Sequence, residues 1–164
     1  MDYRALEGGL RRMLDRLHTE GTATKNADAD AFLRESNNAK LLGMLFDQRI
    51  LAEVAFIGPL KLHQRLGHLD LQKIAYMAPD TFNHIFAMHP TVHRFSNKMA
   101  ETTQKVAHII ATEYENDAAN IWQEAPDWAT VTKRLRQLPG FGTEKCMKFR
   151  YVLHYFGERT FQKP

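Results

Sequence analysis

The chain has a single cysteine, Cys146, among its 164 residues. One thiol closes no internal disulfide, which removes disulfide scaffolds from consideration. Long apolar runs are also missing. The longest, residues 50–60, is broken by Glu53 and by Gly58-Pro59, too short and too interrupted to span a bilayer. No basic start leads into an apolar leader-like stretch, and with the lone thiol this points to a reducing interior and a cytoplasmic address. Serine is scarce: Ser36 and Ser96 are the only two, and neither sits in the strained glycine elbow of serine hydrolases. His89 and His93 have a spacing that ligates zinc on a helix, yet Pro90 falls between them and no cysteine or acid stands at ligand spacing. Period-two runs of β-branched residues are absent, so no strand is expected.

What remains is ordinary globular usage, 44% hydrophobic and 25% charged, at a length that buries a sizeable core, so a single domain over residues 1–164 is expected. Helical periodicity dominates. Leu6, Leu10, Met13, Leu14 and Leu17 make one apolar stripe over 3–17, the mark of an amphipathic helix. Residues 21–30 read as a loop leading into a short helix at 31–35. Residues 39–46 are apolar nearly all round, with Leu41, Leu42, Met44, Leu45 and Phe46, and predict a central buried helix ending at Asp47-Gln48-Arg49. Two short helices, 50–56 and 59–66, are expected on either side of Gly58-Pro59. Asp70 and Asp80 fit N-cap positions for helices at 71–77 and 81–88. His89-Pro90 ends that run, a long helix follows at 97–115, and 117–122 adds one more turn. Many short helices with short breaks predict an all-α, orthogonal multi-helix bundle.

The most informative stretch is 131–156. Val131, Leu135 and Leu138 recur at helical spacing, Leu138-Pro139-Gly140-Phe141-Gly142 interrupts, and Cys146, Phe149, Leu153 and Phe156 resume the period. Two helices therefore flank a tight turn. Pro139 disfavours helix at Leu138, and both glycines are free to take positive φ and to leave main-chain N–H groups uncovered. Such a turn, opening onto a helix N-terminus, is suited to holding an anion. Cys146 falls on the core face of the second helix, where it acts as an inert small hydrophobe. Charge is concentrated at the same end. From Lys133 onward eight basic residues stand against Glu144 and Glu158, whereas the first 132 residues carry fourteen basic against seventeen acidic, for a net charge of +3. A basic end on a mildly acidic body is the footprint of a nucleic-acid face.

Residues 135–146, hydrophobic-x-x-Leu-Pro-Gly-hydrophobic-Gly-x-x-Lys-small, resemble the helix-hairpin-helix of the base-excision DNA glycosylase superfamily (HhH-GPD). A fainter likeness runs back to about Asn38, through the FDQ and HRF segments, to a branch of that superfamily without the iron–sulfur cluster. The resemblance implies double-stranded DNA as the partner, with amides near Gly140 and Gly142 gripping a phosphate. Pro139, Phe141, Thr143, Lys145 and Lys148 would surround that grip. The carbonyls of Arg136, Leu138 and Phe141 would hold a monovalent cation, K or Na. Gln48 matches a residue that wedges into the duplex where a nucleotide is extruded, and Arg49 would reach a neighbouring phosphate. The iron–sulfur cluster of related glycosylases needs four cysteines and is excluded here. No other cofactor is implied, and a monomer is the default.

The likeness breaks at the catalytic carboxylate. Glycosidic cleavage requires one to stabilise an oxocarbenium-like transition state or to activate water, and the superfamily places an aspartate about 20 to 22 residues after the second glycine. Those positions are Gln162, Lys163 and Pro164. Glu158 is the remaining acid, about one helical turn early. The superfamily's lyase-type lysine falls on Glu144, while Lys145 stands one place on, about 100° around the helix. Either this branch lost the aspartate and binds without cutting, or the chain stops before the segment that completes the site. In the second case, apolar surface on the 3–17 or 39–46 helix is expected to lie uncovered unless the N-terminal helix takes the missing place. The resulting expectation is a DNA-binding, DNA N-glycosylase-like protein of base-excision repair. The alternatives are a non-catalytic DNA-binding module on a glycosylase scaffold and a structural or protein-interaction helical bundle.

Overall fold

The computed structural model describes residues Met1–Phe161; Gln162, Lys163 and Pro164, and the expectations placed on them, lie outside that range. The layout follows from one helix without a solvent face. α3 (Asn37–Phe46) begins at Ser36, whose hydroxyl oxygen accepts the Ala39 amide at 3.0 Å, and every residue from Ala39 to Phe46 is buried. A helix apolar all round must be surrounded. α2 (Ala27–Glu35), α4 (Ala52–Leu66), α7 (Ser96–Glu113), α9 (Thr143–Tyr155) and the 3-10 turn Ala118–Ile121 all pack on it. α1 (Gly8–Glu20) lies on α4, while α5 (Leu71–Tyr76) and α6 (Pro79–Ala87) pack along α7, and α8 (Trp128–Leu135) pairs with α9. Among the described residues all regular structure is helical. The apolar stripe of α1 is covered, with Leu10, Met13 and Leu14 buried. Lys40 is buried too. Its ammonium donates to the Arg34 carbonyl at 3.1 Å and the Asn37 side-chain oxygen at 3.0 Å, which replace the water a buried charge loses.

Several boundaries differ from expectation for local reasons. The first helix starts at Gly8 rather than residue 3, because Gly8 has φ +80° and a short 3-10 turn, Tyr3–Ala5, precedes it. α2 begins at Ala27, earlier than expected, because the Asn26 side chain caps it by accepting the Ala29 amide at 3.0 Å. Asp70 does cap α5, accepting from Lys73 at 3.2 Å. Asp80 does not cap α6: Pro79 takes the first helical position and Asp80 falls in the first turn, where its charge still complements the dipole.

The largest departure is α4. The two helices expected around Gly58-Pro59 are one, with Pro59 inside. An interior proline costs about 3 kcal/mol in an unsupported helix, but here the helix packs as one rod against α3. A Cβ on Gly58 would stand 2.7 Å from the Phe46 ring, and one on Gly43 would stand 2.4 Å from the Phe56 ring. Each helix thus gives a glycine to the other's phenylalanine. Gly43→Ala should destabilise by about 1–3 kcal/mol through overpacking, although alanine is the better helix former by about 1 kcal/mol. Urea melts of wild type and Gly43→Ala check this; unchanged or raised stability of the variant would refute the close-packing account.

Candidate nucleic-acid interface

α8 is capped by Asp127, which accepts the Thr130 amide at 2.8 Å. Beyond it, Leu138-Pro139-Gly140-Phe141 closes as a four-residue turn, with the Phe141 amide donating to the Leu138 carbonyl at 3.2 Å. Proline in its second position and a glycine at φ +87° in its third are the signature of a type II turn. Gly140 is required twice over, because a Cβ would also stand 2.6 Å from Leu45 Cδ1. Gly142 does not behave as expected: at φ −91° and ψ −175° it is extended backbone, which any residue adopts. Its role is to precede α9 as a cap without a side chain, so that the first-turn amides open at the exposed residues Gly142, Thr143 and Glu144. Phe141 turns inward against Phe149, ring centroids 6.4 Å apart.

The second element is the exit of α3. The Gln48 amide donates to the Phe46 carbonyl at 2.7 Å across Asp47, whose φ −73° and ψ 73° describe an inverse γ-turn. Arg49 follows in the left-handed region at φ 58°, an uncommon place for a residue with a side chain. This double reversal puts Gln48 and Arg49 at the surface. They meet Pro139 and Gly140, some ninety residues later in sequence, on the wall of one cavity of about 540 Å³ that His93, Phe95 and Lys98 help to close. A larger open groove of about 1040 Å³ continues from Pro139 and Lys98 along α7, past the Glu101–Lys105 ion pair, to His108.

The end of α3 is buried, so its last carbonyls need partners other than water. The Asp47 amide donates to Met44, the Lys145 ammonium to Leu45 at 2.6 Å, and the His93 ring meets Phe46 at 3.0 Å. Burial pulls the Lys145 ammonium down to about 8, with Asp47 opposing. Burial likewise pushes the Asp47 carboxyl up, against the pull of Lys148 and Lys145. Lys145 therefore points into the protein instead of toward a ligand. Lys148 is paired with Glu144 at 2.9 Å. Of the basic side chains expected at the phosphate, Arg49 is the exposed one.

Glu158 is elsewhere. Its Oε1 accepts from the Trp122 indole at 3.1 Å and from the Gln123 amide at 3.0 Å, and its charge is felt by Lys40 near the start of α3. Gln48 follows the opposite end of that helix, about 15 Å away at the usual rise per residue. Of the carbonyls expected to hold a cation, those of Leu138 and Phe141 belong to the turn and that of Arg136 to the C-cap of α8, and Leu138's already accepts the Phe141 amide. Sequence patterns do not single out Phe95, Lys98 or the part His93 plays; the HRF segment enters only through the likeness, and nothing local in it announces the cavity. No family model, curated protein or solved structure matches this chain.

A pH experiment isolates Lys145. Its pKa is depressed from 10.5 in the free side chain to about 8 in the fold, so between those values the unfolded chain binds the proton that the folded chain has lost, and stability rises with pH across that window. Relative to Lys145→Met, wild type should gain on the order of 1–3 kcal/mol between pH 8 and 10.5, with no relative change below pH 8. Denaturant melts of both proteins check this, and parallel curves across the alkaline range would mean that the ammonium stays charged where it is.

Proposed function

We propose that this chain is a DNA-binding, DNA N-glycosylase-like protein of base-excision repair, gripping duplex phosphate through a helix-hairpin-helix made of α8, the turn and α9. The observation that carries the reading is the shared cavity: Gln48 and Arg49, which the likeness assigns to the duplex, stand beside Pro139 and Gly140, which it assigns to the phosphate. The exposed, uncapped first-turn amides of α9 and the basic surplus of the last 32 residues support it. In this reading the amides near Gly140 and Gly142 donate to a phosphate oxygen, Arg49 neutralises the next phosphate, and Gln48 enters the duplex. Lys148 exchanges Glu144 for a phosphate, and Lys145 holds α9 in place from behind. A monovalent cation at the Arg136, Leu138 and Phe141 carbonyls fits an all-oxygen donor set, Leu138 keeping one lone pair for it.

A specific observation favours the non-catalytic version of this reading. Glu158, the acid nearest the expected catalytic position, is held by Trp122 and Gln123 at the far end of α3. The protein then recognises distorted duplex and leaves its glycosidic bonds intact. Incubation with alkylated, oxidised, deaminated and mismatched duplexes should release no base above a buffer control. Release that Glu158→Gln abolishes would reverse this and make Glu158 the catalytic acid.

Binding itself is tested by salt and by the hairpin. Affinity for duplex DNA should fall steeply from low to moderate salt, and Lys148→Ala should reduce the slope by about one. Gly142→Asp adds a Cβ that meets nothing within 4 Å, and its carboxylate, at the cap of α9, takes the first-turn amides and sets a negative charge before the phosphate. It should weaken binding by about tenfold or more without lowering the melting temperature. Undiminished binding by Gly142→Asp would remove the hairpin from the interface, and salt-independent binding would remove the nucleic acid.

A further inference from the structure

His93 is 1% exposed and closes the inner side of the cavity. Its Nε2 lies 3.0 Å from the Phe46 carbonyl, and its Nδ1 accepts the Phe95 amide at 3.0 Å. A carbonyl facing one nitrogen and an N–H facing the other leave one arrangement, the neutral ring with its proton on Nε2. Both nitrogens are used, so the zinc spacing with His89 has no ligand to draw on here. The Phe46 carbonyl that the ring meets is also the acceptor of the Gln48 amide, the bond that closes the inverse γ-turn. One imidazole therefore ties the turn carrying Gln48 and Arg49 to the segment that leads through Phe95 into α7.

We propose that His93 is the positioning residue that sets Gln48 and Arg49 against the hairpin, and that it does so only as the neutral Nε2–H imidazole, so that protonating this ring frees the turn. The link from the turn to DNA rests on the function proposed above; the link from His93 to the turn does not. An imidazolium would direct an Nδ1–H at the Phe95 N–H, and one of the two donors would be orphaned in the interior. The charged groups around the ring are mostly cations. Lys145 comes from α9, Lys98 from α7 and Arg49 from the turn, while Arg94 is next in the chain. From α4, Lys61 and Arg65 hold the Thr91 and Pro90 carbonyls of the same loop. Asp47, the acid at the α3 exit, interacts with Lys145 and Lys148. The aromatic rings of Phe46 and Phe95, 6.4 and 5.9 Å away, add no compensating charge. Burial accordingly pushes the imidazole below its ordinary value, with the Phe46 and Gln48 carbonyls pulling the other way.

The experiment follows imidazole nitrogen shifts, amide exchange and duplex affinity against pH for wild type, His93→Phe and His93→Gln. In wild type the ring should show the neutral Nε2–H tautomer, and protection at the Gln48 and Phe95 amides should fall together with duplex affinity as the ring protonates. His93→Phe keeps a ring but neither bond, and should lose roughly tenfold protection at those two amides while α1 stays protected. His93→Gln can still donate to the Phe46 carbonyl but lacks the acceptor at the Nδ1 position; it should restore most of the protection at Gln48, though not at Phe95, and abolish the acid-side fall in affinity. An Nδ1–H tautomer, unchanged protection in His93→Phe, or an acid-side fall that persists in His93→Gln would each overturn the proposal. If His93→Phe does not fold, the wild-type tautomer and His93→Gln decide. If wild type binds no duplex at any pH, the DNA reading fails alone, and the tautomer and exchange data still decide what His93 holds.

Discussion

A helix that ends inside a protein leaves carbonyl oxygens with no water to meet them, and most of this structure can be traced to how α3 resolves that problem. Its apolar circumference draws five elements around it, and its terminal oxygens are met by polar groups from α9, from the chain's own exit and from the loop before α7. Met44 is met by the chain's own reversal at Asp47, Leu45 by Lys145 from α9, and Phe46 by the Gln48 amide and the His93 ring. An unpartnered buried carbonyl costs on the order of 1–3 kcal/mol, so each partner is held in place by the need it fills. The surface where the turn, the α7 entry and the hairpin meet is thus built from the inside.

The same arrangement explains why Lys145 differs from the other basic residues of its segment. Its ammonium gives up solvation to reach a carbonyl, and burial lowers its pKa accordingly. The gain lies in rigidity, because α9 is fastened to α3 at the residue that directly follows the open amides. Preorganised main-chain donors lose little freedom when they meet an anion, which is the advantage a backbone grip has over long flexible side chains.

Much of this was legible in the sequence, and the exceptions share a cause. The all-round apolarity of 39–46 announced a buried centre, and Leu138-Pro139-Gly140 announced the turn, because both are written in adjacent residues. The continuity of α4 through Pro59 was not, since it depends on Phe46 and Phe56 fitting against glycines of the facing helix. Lys145 read as a surface cation because its acceptor lies a hundred residues earlier. His93 read as half of a weak zinc spacing, for its partners are main-chain atoms that no side-chain pattern encodes. Glu158 stands near the catalytic spacing along the chain, and in space it belongs to Trp122 and Gln123.

The close seating of α3 and α4 through reciprocal glycine and phenylalanine contacts also bears on how this architecture can vary. The turn at Gln48 and the hairpin at Gly140 both take their positions from the end of α3, so the span between them is set by a rigid rod and its caps. Loops such as the one between α1 and α2 do not enter that measurement. Insertions and deletions there should be neutral to the geometry of the cavity, whereas a single residue added within α3 would rotate its exit by about 100° and carry the turn away from the hairpin. Length variation in this architecture is therefore expected at the periphery and forbidden along one short buried helix.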